Sequence, residues 1–299
     1  MTVGSRHGSR RTRLSELRRW RDSALSTLAL LGLAATASSV AAGAPPGGLG
    51  QRLADVPGAP PGALLERPVE RLRVEVLDTF AHDDQAFTQG LLWHEEALFE
   101  STGTYGESTL RRVAPASGIV LGQRRLDDSL FGEGLARVDD RLIQLTWREG
   151  RALVWSVDGL EKIAEFAYEG EGWGLCHDGA TLFMSDGSPR LTLRDPASFA
   201  SHGQLTVSFE GRPVAGLNEL ECAEGWIYAN LWQDDRILRI VPTSGEVVAV
   251  IDASSLRRRL GEAITPGNVL NGIAFRAETT TFFVTGKNWP TVFEVIFVE

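Results

Sequence analysis

The sequence predicts an all-β protein, a five-bladed β-propeller whose ring is closed by an N-terminal strand that completes the last blade. Three observations carry the prediction. A unit of short apolar runs recurs five times, at intervals of 40 to 53 residues. The final unit is one strand short, while a lone strand pattern stands upstream of the first. Four short strands every ~40–45 residues are the signature of a propeller blade.

The first 42 residues stand apart from this pattern. Arg6, Arg10, Arg11, Arg13, Arg18, Arg19 and Arg21 precede an apolar stretch from Ala24 to Ala37, and the segment ends Val40-Ala41-Ala42. That order reads as a secretory signal peptide, so the chain is expected to be exported to the periplasm or secreted. The apolar run is too short and Ala-rich for a membrane span, and no membrane partner is expected once the signal is cleaved. Arg10-Arg11 and Arg18-Arg19 also permit a twin-arginine route. Removing this segment, net charge +5, takes the chain from −9 to about −14, which argues against nucleic acid or anionic lipid as a partner. Residues 43–70 are rich in Gly, Pro and Ala and read as a linker or arm. The propeller then occupies residues 71–299.

Its units open at Gln89-Gly90-Leu91, Glu133-Gly134-Leu135, Trp173-Gly174-Leu175, Asn218-Glu219-Leu220 and Asn271-Gly272-Ile273. Second strands follow at Ala97–Glu100, Leu142–Leu145, Leu182–Ser185, Ile227–Asn230 and Phe282–Thr285. Matching turns close the third strands at Ala114–Gly118, Asp195–Phe199 and Val241–Gly245, with Val157-Asp158-Gly159 as the shorter version. The run Leu72–Leu77 is the lone upstream strand, suited to complete the fifth unit and leave no open gap. The longest interval holds Ser255–Leu260, a short helix by its pattern. Cys176 and Cys222 follow equivalent Gly-Leu and Glu-Leu positions in neighbouring units, and whether they are joined stays open. His7, His82, His94, His177 and His202 never pair at metal-ligand spacing, which argues against zinc. A closed ring needs no partner for its core, so a monomer is expected.

In a propeller the first strand of each blade lines the axis, so equivalent positions form rings. Gln89, Glu133, Trp173, Asn218 and Asn271 form one such ring. At the same end lie the ends of the second strands, with Thr102-Gly103, Trp147, Asp186, Trp232 and Lys287. Side chains alternate along an extended segment, which aims Phe87 and Phe131 the same way as Gln89 and Glu133. Apolar walls with a few convergent polar groups describe a small-molecule site. Each residue also has a plainer reading: Trp as packing between blades, Asn or Gln as a turn cap, Glu133 as a solvated acid. Lysine is nearly absent, only Lys162 and Lys287, so its use beside Trp289 and Pro290 stands out.

Nine segments in order now define a resemblance. They are Phe87–Leu91, Phe131–Leu135, Leu145-Thr146-Trp147, Glu171–Leu175, Ser185–Ser188, Leu217–Glu221, Ala229–Trp232, Leu270–Ala274 and Thr285–Pro290. Together they resemble the plant-type glutaminyl-peptide cyclotransferases, over roughly residues 72–297. The resemblance implies that the α-amine of an N-terminal glutamine attacks its own side-chain amide, releasing ammonia and leaving pyroglutamate. It implies Glu133 as the acid/base residue. It also implies Phe87, Gln89, Phe131, Trp147, Trp173, Asn218, Trp232 and Lys287 as the substrate-binding pocket, with N-terminal glutaminyl peptides or proteins as partners.

The residue types suit that chemistry. One carboxylate can take a proton from the amine and return it to the leaving nitrogen if apolar neighbours raise its pKa. Lys287 opposes that rise, and the sequence alone does not sign the sum. Lys287, Gln89 and Asn218 are the candidate oxyanion donors. No metal or other cofactor is required for this catalysis, although a structural calcium elsewhere stays open. Two rivals remain: a metal-dependent, lactonase-like propeller hydrolase using Glu133, Asn218, Asn271 and Asp186, and a non-catalytic ligand-binding propeller.

Overall fold

The computed structural model describes residues 68–299; the expected signal peptide and the arm as far as residue 67 lie outside the described residues. The described chain is all-β and strand-rich. After β1 (Glu70–Ala81) come four strands, β2 (Thr88–His94), β3 (Ala97–Thr102), β4 (Thr109–Ala114) and β5 (Ile119–Arg125), hydrogen-bonded in that order. A second four-stranded unit follows as β6 (Gly132–Val138), β7 (Arg141–Thr146), β8 (Arg151–Ser156) and β9 (Lys162–Ala167). The third is β10 (Leu175–His177), β11 (Leu182–Met184), β12 (Arg190–Arg194) and β13 (Ser201–Thr206). A small hairpin, β14 (Ser208–Phe209) and β15 (Arg212–Pro213), leads to β16 (Leu217–Ala223), β17 (Trp226–Leu231), β18 (Arg236–Ile240) and β19 (Val247–Asp252). Helix α1 (Ser254–Leu260) falls where the sequence pattern puts it, before β20 (Leu270–Arg276), β21 (Thr281–Gly286) and β22 (Thr291–Val298).

The lone N-terminal strand does complete the last unit: β1 runs antiparallel to β22 from Arg73↔Val298 to Ala81↔Thr291. The sequence pattern does not foresee its second partner. Glu70–Arg73 also pairs in parallel with Ala249–Asp252 of β19. Units four and five therefore share one eight-stranded sheet, and β19 is covered where the outer strands β5 and β9 have no buried residue.

In unit one burial falls from β3, where every residue is buried, to β5, where none is. The first strands pack in cyclic order, β2 on β6, β6 on β10, β10 on β16, β16 on β20 and β20 on β2. One apolar cluster fills each junction. Leu92, Phe99 and Leu110 meet Leu135, Leu142 and Leu153 between units one and two, and Ile143 and Leu145 meet Leu182 and Met184 at the next. Ala274, Phe283 and Val292 of unit five pack on Leu91, Leu98 and Val113 of unit one. Each cluster draws on two units, so a unit alone cannot bury its faces.

The glycines of the repeat make this closeness possible. A Cβ on Gly174 would lie 2.0 Å from Asn218 O, and one on Gly90 would lie 2.6 Å from Leu135 N. Unit four breaks the rule with Glu219. Its buried carboxyl instead reaches across, accepting from Ile273 N at 2.9 Å and from Leu91 N at 3.3 Å. Units three and four are joined by the Cys176–Cys222 disulfide, with Cα atoms 5.4 Å apart. In the chain-entropy picture a loop of 46 residues gives a crosslink worth about 4 kcal/mol. Among the described residues no helix is long and apolar enough to cross a membrane.

Candidate active site

Gln89, Glu133, Asn218 and Asn271 lie inside β2, β6, β16 and β20. At each the register slips: between Thr88 and Gly90, Gly132 and Leu135, Leu217 and Leu220, and Leu270 and Ile273. Such bulges break the strict alternation of a strand and re-aim a side chain. Trp173 alone precedes its strand, β10. Trp147, Trp232 and Lys287 directly follow β7, β17 and β21.

A hydrogen-bond chain orients the central carboxyl. Asn271 Nδ2 donates to Thr88 O at 2.9 Å and to Gln89 Oε1 at 3.2 Å. Gln89 Nε2 donates to Glu133 Oε1 at 2.8 Å. Asn271 fixes which end of the Gln89 amide faces Glu133, since a flipped amide would set two donors against each other. Glu133 is 4% exposed and Lys287 is buried as well. Burial pushes the Glu133 carboxyl well above the usual carboxylate range; the Lys287 ammonium pulls it back, and Glu171 and Glu149 push it further up. Burial also lowers Lys287, with Glu133 opposing. Desolvation therefore wins over mutual attraction for both groups, which gives the sign the sequence left open.

A series of aromatic rings begins at Lys287. Lys287 Nζ lies 4.8 Å from the Phe87 ring centroid, a cation–π contact. Phe87 and Phe131 meet edge to face at 6.1 Å, as do Trp173 and Trp232 at 5.7 Å, and Phe131 and Trp147 meet at a tilt at 5.5 Å. Gly103 lets these walls close, because a Cβ there would lie 2.3 Å from the Phe131 ring. Trp232 is 49% exposed and marks the mouth. Asn218 is buried, its carbonyl accepting from Ser185 Oγ at 2.7 Å.

Of the residues named for the metal rival, Asp186 Oδ1 accepts from Ser188 N at 2.9 Å within its own turn, while Asn271 donates through Nδ2 to Thr88 O and Gln89 Oε1 and its buried Oδ1 has no hydrogen-bond partner. Among the described residues no group of three or more His, Cys, Asp or Glu side chains converges as metal ligands. An open groove of about 510 Å³ lined by Arg71, Asp234, Asp235, Arg236 and Asp252 contains none of the pocket residues.

Sequence reasoning missed three residues at the mouth. Tyr105 is 47% exposed, lies 5.3 Å from Phe131 and donates to Glu149 Oε1 at 2.7 Å. Glu171 accepts from two pocket tryptophans. Glu171 had a signal: it stands two residues before Trp173, as Phe87 and Phe131 stand before Gln89 and Glu133. Tyr105 and Glu149 lie in loops with no repeated pattern.

Comparison with known proteins places this geometry in context. The sequence profile described as Glutamine cyclotransferase matches residues 53–297. A glutaminyl-peptide cyclotransferase of Arabidopsis thaliana is 40% identical over 225 residues, covering 74% of this chain and 70% of the relative. The crystal structure of Myxococcus xanthus glutaminyl cyclase superposes with a TM-score of 0.73 at 43% identity, covering 78% of this chain and 100% of that one.

Proposed function

The chain belongs to the glutamine cyclotransferase family, and we propose that it converts the N-terminal glutamine of peptides or proteins to pyroglutamate, with Glu133 moving the protons. The observation that carries the second half is the buried, Gln89-oriented Glu133 carboxyl under the influence of Lys287, beside a series of aromatic rings. The substrate's α-amine nitrogen attacks the side-chain amide carbon, forming the ring C–N bond. Glu133 takes the proton that this nitrogen sheds and delivers it to the amide nitrogen, whose C–N bond then breaks to release ammonia. The carboxylate is regenerated and the protons balance. A carboxyl raised by burial suits both transfers, because it holds a proton more tightly than an ordinary carboxylate and can pass it on to the leaving nitrogen. Gln89 is committed to Glu133, which leaves Lys287 and Asn218 as donors for the oxyanion. The aromatic walls hold the glutamine folded back on its amine and keep water out.

No metal enters these steps, and the reaction is proposed to be metal-independent. The five strand units are read as blades of a five-bladed propeller, supported by the cyclic packing of the first strands and the cluster at each junction. Export is supported by the disulfide, which suits an oxidising compartment. The test incubates a short peptide beginning with glutamine with the purified protein and a chelator, following ammonia release and product mass. Loss of the mass of one ammonia, undiminished by the chelator, is expected. A folded protein that leaves the peptide intact would overturn the activity, and a chelator-sensitive rate would overturn metal independence.

A further inference from the structure

We infer that Glu171 is a positioning residue that sets the spacing of the two tryptophan walls of the pocket; this rests on the cyclotransferase reading of the same site. Its Oε2 accepts from Trp147 Nε1 at 2.9 Å and from Trp173 Nε1 at 3.0 Å. Its Oε1 accepts from Arg148 Nε at 2.9 Å, and the Arg148 guanidinium lies 3.7 Å from the Trp147 ring centroid. Three donors from two strand units thus converge on one carboxylate. Burial works against its charge, yet Trp173, Trp147 and Arg148 hold its pKa below the usual carboxylate range. The acceptor is therefore ionised at neutral pH, and its bonds are of the stronger, charge-assisted kind.

The backbone is placed as firmly as the side chain. Gly172 N donates to Trp147 O at 2.9 Å. A Cβ on Gly172 would lie 2.3 Å from Tyr168 Oη, so glycine lets the loop sit this close. An indole N–H at an open mouth is satisfied equally well by water, so neither tryptophan needs a protein acceptor for its own stability. What the shared carboxylate adds is a fixed relation between rings from different units. It stands midway in the aromatic series, with Trp147 packed on Phe131 on one side and Trp173 on Trp232 on the other. Glu171 is also one of the charges felt by Glu133, with Glu149 on the same side of the balance and Lys287 opposing. One carboxylate thereby links the shape of the pocket to the proton affinity of its acid.

The test compares Glu171→Ala, Glu171→Asp and Glu171→Gln in the full chain, with a glutaminyl peptide as substrate. Glu171→Ala and Glu171→Asp are expected to raise KM by roughly 5- to 30-fold, as the walls lose their shared acceptor, with a smaller change in kcat and little change in Tm. Glu171→Asp keeps the charge but shortens the reach, so its pH profile stays in place. Glu171→Gln removes the charge, so the acidic limb of kcat/KM moves to lower pH. Wild-type KM in both Glu171→Ala and Glu171→Asp overturns the inference; should the alanine variant not fold, the aspartate variant decides alone. Tryptophan emission supplies a readout without turnover: Glu171→Ala is expected to shift it, and an unchanged spectrum counts against the clamp. A wild type that cyclises nothing refutes the cyclotransferase reading, while the emission test still judges the contact.

Discussion

Substituting Glu100 by glutamine is expected to weaken the fold by about 3–5 kcal/mol. The Glu100 side chain is 1% exposed and accepts from Thr88 Oγ1 at 2.7 Å, His82 Nε2 at 3.0 Å and Arg111 NH2 at 2.5 Å. Arg111 also holds Asp83 at 2.6 Å, and His82 bonds Trp289 O through Nδ1. The cluster ties the end of β1 to unit one and to the loop that carries Lys287. Removing one partner of a buried ion pair leaves the others uncompensated, at about 3–5 kcal/mol. An independent route agrees. Burial opposes the charge, but His82, Arg111 and Thr88 bring the Glu100 pKa from 4.5 down to about 2, a drop that corresponds to about 3 kcal/mol. A depressed carboxylate stabilises the fold above its unfolded pKa, and that contribution is lost as pH falls from about 4.5 towards 2. Thermal melts followed by circular dichroism near pH 6 should show Glu100→Gln melting roughly 6–20 °C lower. The gap should close on acidification, as the wild-type carboxyl takes up its proton. A gap of under about 2 °C near pH 6, or one that widens in acid, would refute the reasoning.

Two further outcomes follow from the pocket and the junctions. Gly174→Ala puts a methyl 2.0 Å from Asn218 O, a backbone atom that cannot step aside; it should cost at least about 1–3 kcal/mol in urea unfolding, whereas Gly203→Ala, with open space around it, should stay within about 0.5 kcal/mol. Lys287→Met removes the charge that pulls the Glu133 pKa down, so the acidic limb of kcat/KM should move to higher pH while kcat drops by about 10²–10³ with the loss of an oxyanion donor.

Much of the architecture was legible because each unit repeats the same strand and turn chemistry. The missing strand of the last unit and the surplus strand upstream pointed to each other, and β1 does pair with β22. Its parallel pairing with β19 was not legible, since a strand that already fills one edge carries no mark of a second partner. The polar ring was found, but its bulges were hidden: nothing in the repeat marks Gly90 and Gly134 as points of close approach between units. Glu219 was visible as the one departure from glycine in that column, yet its reach to Leu91 and Ile273 depends on which strands face it across the axis. The same holds for the Glu171 clamp and the His82–Glu100–Arg111 cluster, whose members lie on different strands and loops and meet only on folding.

The most direct test of the account compares kcat/KM of wild type and Glu133→Gln on a glutaminyl peptide, with Tm measured on the same samples. Glutamine keeps the size of the side chain and removes only its ability to carry the proton. A loss of at least about 10²-fold at unchanged or higher Tm is expected if Glu133 is the acid/base. Glu133→Gln that folds and turns over within about tenfold of wild type would show that the protons travel by another group.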